Sequence, residues 1–186
     1  MYPRKILFTG MPGSGKGTQA KLLLQKYALP YLSTGEMFRQ EMANQTPLGE
    51  KITHLMNTGQ YVDDETTNEV VTPYLKQDAY LLDGYPRTLN QVHHLEQINP
   101  PDLVILLEVD EELVVKRILD RGKTSGRSED ASAETIRTRI NLYYETMKPV
   151  IIHYSGQHKI NVIRADGSVD DVQQDIRNLI EGYSAS

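Results

Sequence analysis

The stretch GMPGSGKGTQA, residues 10–20, is the first place where residue types and spacing could do chemistry. Gly10, Gly15 and Lys16 meet the pattern G-x-x-x-x-G-K, and the adjoining Gly13, Ser14, Gly17 and Thr18 complete the loop. Glycines let backbone N–H groups turn inward toward phosphate oxygens. A following helix adds its positive end, and a lysine ammonium supplies a mobile point charge. The pattern normally closes with Ser or Thr after the lysine, but here Gly17 follows it and Thr18 comes one place late. Without that hydroxyl a magnesium ion would rest mainly on phosphate oxygens and water, which suits a cation that sheds water reluctantly. A glycine also leaves room for a second ligand to come close, which points to a two-substrate enzyme rather than a simple hydrolase.

YLLDGYPRT, residues 80–88, runs from apolar residues into Asp83. Asp83 either holds magnesium-bound water or opens a turn. Gly84 and Pro86 shape that turn, and Arg87 leaves it with a planar fork suited to phosphate. Thr88 and Gln91 have the spacing of a capping box, a structural reason for Gln91 that stands level with base binding. LSTGEMFRQ places Thr34, Gly35 and Arg39 where a solvated helix start would serve equally well, and GQYV (59–62) is a weaker signal still. Arginines are dense later on, at Arg117, Arg121, Arg127, Arg137 and Arg139. Arg121 and Arg127 bracket a polar stretch, GKTSGRSEDA, read as a loop without an apolar face. Arg137 and Arg139 lie two apart on a helix, so at most one faces the same site as Arg127. Surface ion pairs with Glu129, Asp130 and Glu134 account for Arg117 and Arg137. The five histidines have no metal-ligand spacing and read as surface or boundary residues, and LYYETMKPVIIHY reads as a core-facing helix.

Strands and helices must position these groups. Apolar runs at 5–9, 79–83, 103–109 and 159–164, with a shorter one at 31–32, read as strands. Ala20, Leu23, Leu24 and Tyr27 recur at helical spacing, Asp110 to Glu112 suit a helix start, and Ser168 with Asp171 caps a last helix to about Ile180. Strands alternating with helices imply a parallel sheet covered on both faces. Residues 34–78 interrupt that rhythm with helical pieces, and inserts at the carboxyl ends of strands are where ligands are usually covered. The 186 residues suit one domain. A net charge of −5 argues against broad capture of nucleic acid or anionic membrane, so an anionic ligand needs a local concentration of positive charge. No cysteine is present, which excludes disulfides and thiolate zinc sites. No apolar run approaches a membrane span and the start lacks a signal-peptide core, so the cytoplasm is the expected address.

Together, GMPGSGKGTQ, LSTGEMFR, GQYV, YLLDGYPRTLNQ, RGKTSGR and SVDDV resemble, in order and over nearly the whole chain, the nucleoside monophosphate kinase family, its adenylate kinase branch most closely. Glycine after the loop lysine is that family's own form of the motif. The resemblance implies a P-loop α/β fold with a five-stranded parallel sheet, a helical monophosphate-binding insert near 33–62 and a short lid near 122–132. It implies magnesium-dependent, in-line phosphoryl transfer from ATP to AMP giving two ADP, without zinc, by a monomer. Gly13, Ser14, Gly15, Lys16, Gly17, Thr18, Arg121 and Gly167 would bind ATP. Thr34, Arg39, Gln60, Tyr61, Val62, Gly84, Tyr85, Pro86, Arg87 and Gln91 would bind AMP, with Arg127 and Arg139 on the phosphates at the transfer centre. Lys16, Arg87, Arg121, Arg127 and Arg139 would carry catalysis, and Asp83 would reach magnesium through water. YVDDETT departs from the family at the residue after Val62, where many relatives have proline. A UMP/CMP kinase is the nearest rival; Thr34 and Thr88 favour the adenylate enzyme. A nucleotide-binding regulator without transfer activity is the rival of another class, and the full arginine set argues against it.

Overall fold

KILFT becomes the central strand of the computed structural model, which describes residues 2–130 and 132–183. The elements run in the order β1 (Lys5–Gly10), α1 (Lys16–Leu24), β2 (Tyr31–Ser33), α2 (Thr34–Ala43), α3 (Pro47–Asn57), α4 (Asp64–Leu75), β3 (Tyr80–Asp83) and α5 (Leu89–Ile98). Then come β4 (Leu103–Glu108), α6 (Glu111–Ser125), a 3-10 turn at Ser128–Asp130, α7 (Ala133–Gly156), β5 (Ile160–Arg164) and α8 (Val169–Glu181). The strands form one sheet in the order β2-β3-β1-β4-β5, and every pairing is parallel. Each anticipated strand is present; Ala79, Val109 and Lys159 fall just outside the ladders, while Gly10 and Ser33 extend them.

Alternation along the strands divides the core. Ile6, Phe8, Leu81, Ile105 and Leu107 face α1, α6 and α8 through Leu23, Ile118 and Ile176. Leu7, Leu82 and Val104 face the other way, against Val92, Leu95, Val150 and Tyr154. Both faces are covered, so the strands read as nearly continuous apolar runs. A third, much smaller core of Phe38, Ile52 and Val62 holds α2 and α3 together away from the sheet. Register sets Phe8 level with Asp83 on one side and Ile105 on the other. The carboxyl ends of β1, β2 and β3 therefore open into one crevice, where the strand order reverses and ligands of such sheets bind.

The polar stretch after Arg121 is not a loop throughout. Helix α6 continues to Ser125, because Val114 and Ile118 anchor its inner face, and Gly126, at φ 64°, ends it in the left-handed conformation. The turn that comes next packs back on the helix at Gly122, where a Cβ would stand 2.8 Å from the Asp130 carbonyl oxygen. Of the expected lid residues, Ala131 lies outside the described residues. The last helix begins as expected: the Ser168 hydroxyl accepts from the Asp171 N–H.

Candidate active site

The glycine-rich loop links β1 to α1. Gly15, at φ 99°, is the helix N-cap, and at φ 82° a Cβ on Gly13 would meet Ile118 Cγ1 at 2.7 Å. Only glycine fits both turns, so the chain brings bare backbone to the mouth of the crevice. Lys16 folds over this loop and donates to the Gly10 and Met11 carbonyl oxygens (2.7 and 2.8 Å) and to Ser14 Oγ (3.2 Å). Burial pulls its pKa down to about 8; the Asp83 carboxylate opposes that, and Arg87, Arg139 and Arg121 reinforce it.

A cavity of about 510 Å³ opens above the loop. Gly13, Ser14, Gly15, Lys16, Gly17, Thr18, Asp83, Gly84, Pro86 and Gly167 line it, with Arg39, Arg87, Arg121, Arg127 and Arg139 around the rim. In a chain of net charge −5 this is a local concentration of positive charge. A smaller pocket of about 60 Å³ adjoins it, lined by Thr34, Gln60, Tyr61, Val62 and Gln91 and sharing Arg39, Gly84, Arg87 and Arg139. Residues from separate, distant segments therefore converge. Tyr85 is the exception: its ring is fully buried under the sheet, where its hydroxyl donates to Asn68 Oδ1 (2.7 Å) and the Gln91 carbonyl oxygen (3.2 Å). Its side chain anchors from beneath the turn that presents Gly84 and Arg87.

Arg87 is held by its Nε donating to the Gly84 carbonyl oxygen (2.7 Å) and by its guanidinium lying 4.8 Å from the Tyr61 ring centre. Thr34 Oγ1 donates to that same Gly84 oxygen at 2.9 Å. Gln91 has part of the expected cap. Its N–H is capped by Thr88 Oγ1 (3.2 Å), and its side-chain oxygen accepts from the Arg87 N–H (2.7 Å), not from the Thr88 N–H of a full capping box. Its Nε2 donates to Asp64 Oδ1 (2.7 Å), yet the side chain still lines the small pocket.

The acids of RSED are not surface partners of Arg117 and Arg137, as the sequence suggested. Glu129 and Asp130 are buried. Glu129 Oε1 accepts from Arg39 Nη1 at 2.9 Å. Asp130 takes a two-pronged bond from Arg121 (2.7 and 2.9 Å) and a third from Arg139 Nη1 (2.7 Å). Burial would raise the Asp130 pKa, but the hydrogen bonds and charges of Arg121 and Arg139 outweigh it and hold the carboxyl below its ordinary value. Burial lowers the Arg139 pKa, and burial together with Arg39 and Arg121 lowers that of Arg127. Arg117 also departs from its surface assignment: it donates from Nη2 to the Ala165 carbonyl oxygen (2.9 Å) and lines the cavity with Gly167, Val169 and Val172. Arg137 is exposed as expected. Helix α7 is mainly core-facing through Met147, Val150 and Tyr154, but Tyr143 and Met147 also reach the cavity. The available signal for Glu129 and Asp130 was two carboxylates beside Arg127 in a stretch with no apolar reason to be buried.

A phosphate loop on the central strand of a five-stranded parallel sheet, facing a second pocket across a ring of arginines, defines a P-loop phosphotransferase that holds two phosphate-bearing substrates. Residues 8–159 match the adenylate kinase family. The chain is 38% identical over 185 residues to an adenylate kinase of Flavobacterium johnsoniae, covering 95% of this chain and 97% of that protein. It is 40% identical over 187 residues to an adenylate kinase of Clavibacter michiganensis (96% and 93% covered) and 35% identical over 213 to one of Fervidobacterium nodosum (96% and 98%). The chain belongs to the adenylate kinase family, whose members transfer a phosphoryl group from ATP to AMP to give two ADP.

Proposed function

We propose that this chain carries out that reversible transfer with ATP on the loop of Lys16 and AMP in the pocket of Thr34 and Gln91. The observation that carries the assignment is the shared rim: Arg39, Arg87 and Arg139 line both cavities, so two phosphate groups can meet there. Phosphoryl transfer needs positioning, charge stabilisation and exclusion of water more than a covalent nucleophile. An AMP phosphate oxygen attacks the γ-phosphorus in line; it is already anionic, so no strong general base is required. In this reading Gly13 to Thr18 cradle the ATP phosphates, and Arg121 and Gly167 contact ATP. Arg117 flanks the base with Val169 and Val172. Lys16, Arg87, Arg121, Arg127 and Arg139 stabilise the transferring charge. Arg39, Arg87, Gly84 and Pro86 hold AMP from the phosphate side; Gln60, Tyr61, Val62, Thr34 and Gln91 hold it from the base side.

The base pocket has a hydrogen-bond logic. Thr34 Oγ1 uses its one proton on Gly84, so toward a ligand it can only accept. The Gln91 oxygen is engaged by Arg87, and its amide nitrogen retains a second proton to donate. An acceptor beside a donor complements the amino group and ring nitrogen of adenine and mismatches uracil and guanine. For magnesium, oxygen donors fit a hard cation: Asp83 faces the Gly17 gap beside the loop, while among the described residues no three His, Cys, Asp or Glu side chains cluster as a metal cage. Magnesium, when bound, neutralises phosphate charge, and Asp83 would hold it through water. Residues 33–62 form the AMP-binding insert and 122–132 the lid, in a monomer acting in the cytoplasm.

A coupled assay of ADP formation across AMP, CMP, UMP and GMP tests the reading. AMP should be preferred, and Lys16→Met should abolish transfer while AMP still binds. Equal rates with all four acceptors, or wild-type turnover in Lys16→Met, would overturn it.

A further inference from the structure

Gly17 leaves the loop without its hydroxyl, and a hydroxyl from elsewhere stands in the gap. A Cβ built on Gly17 would lie 3.7 Å from the Tyr31 hydroxyl and 3.9 Å from Asp83 Oδ2. Tyr31 opens β2, two residues before Ser33, so both side chains leave the strand on the same face, toward the cavity. Its hydroxyl donates to Asp83 Oδ2 at 3.1 Å, across the β2–β3 pair in which Ser33 stands level with Asp83. The ring packs against the buried core while the oxygen reaches polar ground.

We propose that Tyr31 is a positioning residue whose hydroxyl replaces the one missing at position 17, fixing the Asp83 carboxylate beside the loop for the hydrated cation that accompanies ATP. The proposal rests on the assignment of Asp83 and the Lys16 loop above. A carboxylate at the end of a strand rotates freely unless something holds one oxygen, and a side chain that orients a cation-facing carboxylate controls affinity without touching the cation. The device explains how Gly17 can leave space for substrate without giving up an oriented oxygen.

The test is calorimetric binding of a non-hydrolysable ATP analogue to the full chain, with magnesium and with EDTA. Wild-type protein should bind more tightly with magnesium; no gain there would overturn the Asp83 assignment and the Tyr31 proposal with it, whereas a gain that the variant keeps would overturn the Tyr31 proposal alone. Tyr31→Phe keeps the ring and removes the oxygen. It should shrink the magnesium-linked gain about tenfold, at the low end for loss of an orienting partner, with affinity in EDTA unchanged. Adding Gly17→Ser to Tyr31→Phe places a Cβ 3.9 Å from Asp83 Oδ2, with a hydroxyl one bond further on, and should restore most of the gain. An unchanged gain in Tyr31→Phe, or equal loss with and without magnesium, overturns the proposal. A double variant no better than Tyr31→Phe overturns the equivalence of the two hydroxyls.

Discussion

The loop around Lys16 is held by its neighbours in sequence: its ammonium bonds to residues 10, 11 and 14, and its turns rest on Gly13 and Gly15. The pocket around Thr34 is held by bonds between different elements, with Gln91 on Asp64, Arg39 on Glu129 and Arg139 on Asp130. Their foundations differ as well. The loop grows from a strand whose residues are buried on both faces of the sheet, while the insert has its own small core around Phe38, Ile52 and Val62. A region resting on a large core moves with the whole domain, and one resting on a few side chains can open alone. If the proposed assignment holds, the difference makes the acceptor half the part of the site that can open without the sheet. On the proposed assignment the donor end rests on the sheet, and the acceptor pocket is tied to the Ser128–Asp130 turn by Arg39 with Glu129 and Arg139 with Asp130.

The sharpest way to break this comparison is at the arginines. An arginine meeting charge that develops in phosphoryl transfer is worth about 10³–10⁵ in rate, whereas an exposed ion pair contributes about 0–1 kcal/mol. Arg127→Ala should cut turnover at least several-hundred-fold, roughly 3–4 kcal/mol of barrier, with little change in melting temperature. Arg137→Ala, on the same stretch but exposed, should leave turnover nearly intact. Saturating ATP and AMP separate slow transfer from weak binding; equal small losses in the two variants would take Arg127 out of the site.

Next in size is the insert's core. Ile52 is fully buried there, and truncation of such a side chain costs about 2–5 kcal/mol. Ile52→Ala should speed hydrogen exchange across α2 and α3 and raise the KM for AMP, with the strands of the sheet still protected. Loss of protection throughout the sheet would mean that the insert is not an independent unit.

Base selection is worth less. Thr34→Val keeps the shape and removes the acceptor, so AMP should lose roughly 1–3 kcal/mol of its advantage over UMP. An unchanged ratio would take Thr34 out of the base pocket.

The smallest effect belongs to the donor end. The folded Lys16 pKa of about 8 lies below the ordinary lysine value, so the empty site sheds that charge as pH rises through about 8. Bound phosphate favours the charged form, and affinity for an ATP analogue should therefore fall about tenfold from pH 7 to pH 9. The slope should vanish in Lys16→Met; a slope that persists there belongs to another group.

Much of the lining of the two cavities was legible because its groups sit in short motifs. The donor loop, Asp83 with Arg87, and Thr34 with Arg39 each lie within a few residues of a strand end, and period and turn residues reveal strand ends. Glu129 and Asp130 were misread as surface residues because local pattern carries no information about a carboxylate buried by arginines from three different segments. Arg117 was misplaced for a related reason. Its helix looks solvated at that turn, and only the return of the chain after β5 brings the Ala165 carbonyl oxygen to it.

By itself the sequence determined the features that depend on near neighbours along the chain: five strands, a glycine loop that fits only without side chains, a lysine at its end, and the helix starts at Thr88 and Ser168. Tertiary structure alone decided which arginines share a cavity, that Tyr85 turns into the core, and that a β2 tyrosine faces the gap at Gly17. The physical reason is range. Backbone sterics and caps act over a few residues, whereas charge and hydrogen bonding act through space between segments whose spacing along the chain leaves no periodic trace.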